Sequence, residues 1–165
     1  MSVEDIVTVL QIGNITVSTA ESCTGGLVAK KITDIPGASS VFQYGFITYS
    51  NEAKERLLGV DKKTLDKYTA VSEQVALQMA RGAMSHSGAF VGVSVTGYAG
   101  GFMRGSEKDG LVFIAVANRN GYERAVKCYW PFTDRDKIRE MAADEALNLI
   151  LEGALKVSQR ENKCL

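Results

Sequence analysis

Residues 15–20, Ile-Thr-Val-Ser-Thr-Ala, form a β-branched run set between two stretches of helical periodicity, and such a run reads as a buried strand. On its N-terminal side Val3, Ile6, Val7 and Leu10 share one face of a helix over 2–12, which Gly13-Asn14 ends. On its C-terminal side a turn over 21–26 leads into a helix over 27–33, broken by Pro36-Gly37. The alternation continues with a strand over 46–50, a helix capped by Ser50 or Asn51 that runs to Leu58 and stops at Gly59, and a short helix over 62–67. Ser72-Glu73 opens a longer helix with Val75, Ala76, Met79, Ala80 and Ala83 on one face. A strand over 90–96, a glycine-rich loop over 97–110, a strand over 111–117, an Asn120-Gly121 hairpin turn and a strand over 124–130 follow. The last helix is expected from about 134 to 155, with Ile138, Met141, Ala142, Leu147, Ile150 and Leu151 on its apolar side, before a frayed polar tail over 159–165. Strands that first alternate with helices and then close in a hairpin imply an α/β fold: a three-layer α/β/α sandwich with a mixed, mostly parallel sheet of about five strands. With no repeat, linker or low-complexity segment, residues 1–165 read as one domain.

Charge and cysteine usage narrow the function classes. Lys plus Arg and Asp plus Glu number 19 each, and the basic residues are scattered, so neither a nucleic-acid footprint nor a polybasic arm is present. No apolar run approaches the length of a membrane helix, and the acidic N-terminus does not resemble a secretory signal. Cys23, Cys128 and Cys164 are widely spaced and odd in number, which disfavours both a disulfide framework and a zinc site. A cytoplasmic location, no membrane, no nucleic-acid partner, no metal and no cofactor are the expectations. The chain has one histidine, His86, in the polar stretch Ser85-His86-Ser87 at a helix end. A hydrolase built on this sequence would therefore take lysine, tyrosine or a carboxylate as its base.

Four stretches carry residues suited to chemistry. Ala20-Glu21-Ser22-Cys23-Thr24-Gly25-Gly26 lies where a strand gives way to a helix. Backbone N–H groups there favour an anion, Ser22 and Thr24 add donors, and Gly25 and Gly26 admit a close ligand. The same residues also suit a plain capped turn. Pro36-Gly37-Ala38-Ser39 is followed by Tyr49-Ser50-Asn51 and by Lys54, which lie 10 and 15 positions after Ser39 for Tyr49 and Lys54. A serine becomes nucleophilic when a base takes its proton, and a desolvated lysine can do so. Thr96-Gly97-Tyr98-Ala99-Gly100-Gly101 ends a strand, where ligands of open α/β sheets gather. Arg135, in Asp134-Arg135-Asp136, suits a phosphate or carboxylate, or an ion pair at the start of a helix.

Taken together and in order, these stretches resemble the CinA C-terminal domain family. The match runs through AESCTGG at residues 20–26, Pro36-Gly37-Ala38-Ser39 with Phe42, Gly45, Tyr49-Ser50-Asn51 and Lys54, then Leu57-Leu58-Gly59-Val60, Ala70-Val71-Ser72-Glu73 with Ala76, Met79-Ala80 and Gly82-Ala83, and Thr96-Gly97-Tyr98-Ala99-Gly100. It covers roughly residues 5–155. The resemblance implies hydrolysis of the carboxamide of nicotinamide mononucleotide to nicotinate mononucleotide and ammonia, with a nucleotide as small-molecule partner and self-association of the chain. It implies Ser39 as nucleophile, Lys54 as general base and Tyr49 as helper. It implies a substrate pocket drawn from Ser22, Thr24, Gly25, Gly26, Thr96, Gly97 and Arg135. The N-terminal pyrophosphatase-like domain of longer members is not expected. Departures from the family pattern are Ala38 in place of the first of two serines, Gly101 in place of a proline, Met103 and Arg104, and Lys108-Asp109-Gly110 where the pattern has Lys-Pro-Val-Gly. An altered loop leaves open a catalytically weak nucleotide-binding domain, or a competence- or damage-associated one, on the same fold.

Overall fold

A computed structural model describes residues 1–100 and 107–161. The elements are α1 (Val3–Ile12), β1 (Val17–Glu21), α2 (Leu27–Thr33), a single 3-10 turn (Ala38–Ser40), β2 (Phe42–Ile47), α3 (Asn51–Leu58), α4 (Lys62–Tyr68), α5 (Glu73–Ser87), β3 (Val91–Gly97), β4 (Leu111–Asn118), β5 (Glu123–Tyr129) and α6 (Arg135–Glu161). The sheet order is β2-β1-β3-β4-β5. β2, β1 and β3 pair in parallel, and β4 is antiparallel to both of its neighbours, so only β4 runs against the rest. The expected mixed, mostly parallel α/β/α sandwich is what forms.

Alternation along the central strands decides which layer each side chain joins. Val91, Val93 and Val95 of β3 face α1, α2 and α6, in a core shared with Leu10, Val28, Ile138, Ala142 and Ile150. The intervening Gly92, Ser94 and Thr96 face α5 and the segment before it. Ser94 Oγ donates to Ala76 O at 2.6 Å, and Thr96 Oγ1 donates to Ala70 O at 2.8 Å. On that second face Ala20, Leu58, Leu65, Val75, Met79 and Ala83 form a smaller core beneath α3, α4 and α5. β1 is buried along its whole length, whereas the edge strand β2 leaves four of its six residues exposed.

Local caps set the helix starts. Ser2 and Asp5 form a capping box on α1, and Ser50 accepts from Ala53 N–H at the start of α3, which Gly59 ends at φ 68°. Ser72 caps α5 by accepting from Val75 N–H. One boundary differs materially from expectation. The second strand spans Phe42–Ile47 rather than 46–50, so it begins immediately after the 3-10 turn that holds Ser39. Gly101, Met103, Arg104 and Cys164 lie outside the described residues, as does the end of the expected frayed tail.

α5 rides close on the sheet over Gly92, where an added Cβ would stand 2.2 Å from Ala80 O and 2.8 Å from Met84 N. Backbone cannot yield cheaply there. Gly92→Ala is expected to lower unfolding stability by about 1–3 kcal/mol, read as a fall in the urea midpoint with an unchanged m-value. A midpoint equal to wild type would mean that α5 does not ride so close on β3.

Candidate active site

The last residue of β1, Glu21, and the residue after it, Ser22, point to opposite faces of the sheet. Glu21 is 1% exposed. Its carboxylate accepts from Gly26 N–H at 3.0 Å, Val28 N–H at 3.1 Å and Ala29 N–H at 2.9 Å. The start of α2, which lacks a side-chain cap of its own, is thereby satisfied by a carboxylate from the strand. Within the 20–26 turn, where an anion was expected, Gly26 N–H is therefore taken by Glu21 and Gly25 N–H by Ser22 O at 3.1 Å. Thr24, Gly25 and Gly26 do not line the cavity described below, and Thr24 is fully buried.

Ser22 emerges on the face covered by α3 and α5. Its N–H continues the ladder by donating to Val95 O at 3.0 Å. Its Oγ lies 3.2 Å from Lys54 Nζ, and that amine also donates to Thr48 O at 2.7 Å. Lys54 stands one turn into α3 and is only 1% exposed, while Ser22 is 8% exposed. Burial pushes the Lys54 amine down from 10.5 to about 8, with a small opposing effect of Cys23. Desolvation outweighs the two hydrogen bonds because no carboxylate pairs with the amine among the described residues. A serine hydroxyl held against a part-neutral, sheltered lysine is an arrangement able to generate an alkoxide-like nucleophile.

These groups form the floor of a cavity of about 470 Å³, a size suited to a nucleotide-sized ligand. Thr96, Gly97, Tyr98 and Gly100 form one wall, and Tyr49, Arg135 and Asp109 stand around it. Tyr49 is 64% exposed. Its hydroxyl accepts from Arg135 Nη2 at 3.3 Å, and Arg135 Nη1 donates to Gly100 O at 3.0 Å. The mouth therefore presents a guanidinium and a phenol, and the floor a lysine and a serine. Cys23 also lines the cavity, but burial pushes its thiol up to about 11, which removes it as a thiolate nucleophile. His86 sits in the last turn of α5 with Nδ1 2.8 Å from Gly82 O, apart from the cavity. Among the described residues no three His, Cys, Asp or Glu side chains come together as metal ligands.

Ser22, Tyr49, Lys54, Thr96, Gly97 and Arg135 are thus brought to one site. Ser39 is not. It is exposed in the 3-10 turn before β2, near the C-terminus of α1, where Gln11 Nε2 donates to Gly37 O at 3.0 Å. Lys54 follows the other end of β2, a strand of six residues that spans roughly 20 Å at about 3.3 Å per residue. The expected Ser39–Lys54 pairing is therefore corrected within this chain: Ser22 occupies the place expected for Ser39. Tyr49 meets Arg135 rather than the lysine. Asp109 and Arg139 were not anticipated. Arg139 lies four residues after Arg135, so the helical period offered a signal that the two share a face. Arg139 Nε donates to Cys23 O at 3.1 Å, and its Nη2 donates to Thr24 O at 3.0 Å.

The CinA C-terminal domain model matches residues 2–154. A CinA-like protein of Akkermansia muciniphila is 47% identical over 140 residues, covering 84% of this chain and 34% of that protein. A CinA-like protein of Kosmotoga olearia is 47% identical over 153 residues, covering 92% of this chain and 37% of that protein. The chain thus spans about a third of the length of these curated relatives. Among solved structures, the competence/damage inducible protein CihA from Agrobacterium tumefaciens superposes with a TM-score of 0.87 at 41% identity, covering 92% of this chain and 94% of that one. A CinA superfamily protein from Escherichia coli superposes with a TM-score of 0.82 at 30% identity, covering 91% and 89%. On sequence and fold together, the chain belongs to the CinA C-terminal domain family.

Proposed function

We propose that the chain is a serine–lysine amidohydrolase in which Ser22 is the nucleophile and Lys54 the general base. The observation that carries this reading is the buried contact of 3.2 Å between Lys54 Nζ and Ser22 Oγ. The substrate proposed is nicotinamide mononucleotide, hydrolysed at its carboxamide. The family resemblance supports that choice, and so do the nucleotide-sized cavity and the exposed guanidinium of Arg135 at its mouth, suited to a phosphate.

Neutral Lys54 takes the Ser22 proton as Oγ bonds to the amide carbon, and the carbonyl electron pair moves onto oxygen. Collapse of the tetrahedral species breaks the C–N bond, and the leaving nitrogen takes the proton held by Lys54 to depart as ammonia. A water then gives a proton to Lys54 and attacks the acyl-Ser22 carbon. The C–Oγ bond breaks, Ser22 recovers its proton and the carboxylic acid product leaves. Tyr49 and Arg135 act at the mouth as substrate-binding groups, and Thr96 and Gly97 shape the wall.

Ammonia release from nicotinamide mononucleotide tests the roles. Ser22→Ala and Lys54→Met are each expected to lower kcat by at least ~10³-fold, while Ser39→Ala stays within about threefold of wild type. An inactive Ser39→Ala beside an active Ser22→Ala would reverse the assignment.

The base must be neutral to act, and with a pKa of about 8 only about a tenth of it is neutral at pH 7. The rate is therefore expected to rise close to tenfold per pH unit below 8 and to level off above it. A profile flat from pH 6 to 9 would exclude Lys54 as the base.

Lys54 also leaves a thermodynamic signature. Its folded value is near 8 against 10.5 when free, so between those limits the unfolded chain keeps a proton that the folded chain has released. Wild-type stability should accordingly rise with pH through that window relative to Lys54→Met, and the full penalty persists below pH 8. At pH 6 Lys54→Met is expected to be the more stable protein by about 1–3 kcal/mol, checked by urea unfolding. Parallel stability–pH curves for the two proteins would contradict a depressed lysine.

A further inference from the structure

Asp109 is the one acidic side chain among the described residues that line the cavity. The turn that carries it is pinned on both sides. Gly110 N–H donates to Tyr98 O at 2.8 Å and Tyr98 N–H to Leu111 O at 2.9 Å, which carries the β3–β4 ladder past Gly97. From just beyond β5, Trp130 N–H donates to Gly110 O at 3.0 Å, and Leu111 N–H closes the turn on Lys108 O at 3.0 Å. The residue before Gly110 is thereby set against Gly100, where a Cβ added to that glycine would stand 3.5 Å from both Cβ and Cγ of Asp109. Asp109 is half-buried, and its carboxylate accepts no hydrogen bond and joins no ion pair among the described residues. An acid here is one of this chain's departures from the family pattern, which has Lys-Pro-Val-Gly where Lys108-Asp109-Gly110 stand.

The other charged residues lining the cavity among those described are both basic, Lys54 on the floor and Arg135 at the mouth. Arg135 Nη1 donates to Gly100 O at 3.0 Å, so the guanidinium and the Asp109 carboxylate flank the same residue. A ligand with its carboxamide at Ser22 and its phosphate at Arg135 lays its ring and ribose between those ends, past Asp109. In nicotinamide mononucleotide the ring nitrogen is bonded to the ribose, so the ring is a pyridinium with a full positive charge and no N–H. Such a ring donates no N–H hydrogen bond, and it is recognised by an opposite charge or by an aromatic face. Lys54 and Arg135 alone would repel it. The Tyr98 ring on the same wall already has Lys108 Nζ 6.0 Å from its centroid, which makes it a poor seat for a second cation. The Asp109 carboxylate supplies the opposite charge.

We propose that Asp109 is a specificity-determining residue that reads the positive charge of the substrate ring, so that the site favours carboxamides on N-glycosylated pyridinium rings over those on neutral rings. The proposal deepens the amidohydrolase reading and rests on it for the direction in which the ligand enters. Asp109 makes and breaks no bond. It acts in binding, where guanidinium meets phosphate and carboxylate meets pyridinium, with the carboxamide left to Ser22 and Lys54. Discrimination arises because a neutral ring gains nothing from the carboxylate and still strips it of part of its water. The rigid turn suits this task, since a charge held in place loses little freedom when the ligand arrives.

The test compares wild type, Asp109→Ala and Asp109→Glu in the full chain. The ligands are nicotinamide mononucleotide and its carbon-linked isostere, benzamide ribonucleoside monophosphate, which keeps the carboxamide, ribose and phosphate on a neutral ring. The ratio of kcat/KM for the charged over the neutral ligand, from ammonia release, is expected to fall about tenfold in Asp109→Ala, between the small effect of a fully exposed charge pair and the large one of a buried pair. The loss should lie in KM for the charged ligand, with kcat within about threefold of wild type. Asp109→Glu, which keeps the charge, should hold the ratio within about threefold of wild type. A ratio unmoved in Asp109→Ala, or equal losses on both ligands, overturns the proposal and leaves the Ser22–Lys54 reading in place. A wild type that releases no ammonia from either ligand overturns that reading instead, and the ratio of calorimetric Kd values then decides the role of Asp109 by the same margins.

Discussion

The site depends on two adjacent residues at the end of β1 being sent to opposite faces of the sheet. Glu21 goes to the side of α2 and α6, where three backbone N–H groups hold its carboxylate. Ser22 goes to the side of α3 and α5, where it meets Lys54. The pleat leaves no freedom in this choice, because a register slip of one residue would exchange the two. A carboxylate would then face the buried lysine, pair with it and keep it charged. The serine would face the start of α2 with one hydroxyl for three donors. The Glu21 anchor therefore does two things at once: it satisfies a helix end without an external anion, and it locks the parity that delivers Ser22.

The lysine then follows from layer geometry. Ser50 caps α3 directly after the β2 segment, and one turn later the helix presents Lys54 inward, between the sheet and α5. Coverage from three sides excludes water, and desolvation is the largest influence on the amine. Thr48 O and Ser22 Oγ provide its polar contacts without adding a countercharge. A carboxylate in either position would raise the pKa again. The arrangement sacrifices some stability to keep an amine of lowered pKa, neutral in part near pH 7, next to a hydroxyl, a conflict between folding and chemistry of the kind that marks functional sites.

Much of this was legible in the sequence, and the failures have identifiable physical causes. The β-branched run over 15–20 and the helical periodicity on either side of it implied the three-layer fold, and Ser50, Gly59 and Ser72 marked helix ends where they occur. The rule that ligands gather at strand ends puts Ser22 and Thr96 in one crevice, and the family resemblance adds Lys54, Gly97 and Arg135. The family resemblance points to Ser39, and a strand at 46–50 leaves a turn-strand-turn path compatible with bringing Ser39, Tyr49 and Lys54 together. The strand in fact starts at Phe42, and its length separates Ser39 from the lysine. Phe42-Gln43-Tyr44-Gly45 has little strand signal of its own, since it forms an exposed edge with a glycine at its centre. The anion expected over 20–26 meets a competitor at the start of α2: Glu21 lies in the same motif and accepts from the N–H groups of Gly26, Val28 and Ala29. Sequence spacing cannot tell which of two local acceptors wins a helix start.

The two arginines of α6 show how one helix serves both the mouth and the interior of the site. Arg135, in the first turn, is exposed and links Gly100 O to the Tyr49 hydroxyl, joining the β3 end to the segment after β2. Arg139, one turn on, is half-buried and reaches the carbonyls of the Ser22 turn. α6 packs on the face opposite Lys54, so neither helix layer alone contains the chemistry. The lysine and serine meet on the α3–α5 side, while the carbonyl groups of the serine's own turn are held from the α6 side. Consequently a change in how α6 rides on the sheet would alter the backbone around Ser22 without touching the Ser22–Lys54 contact. α6 therefore bears on the carbonyls of the Ser22 turn through Arg139, and burial under α3 and α5 lowers the basicity of the lysine.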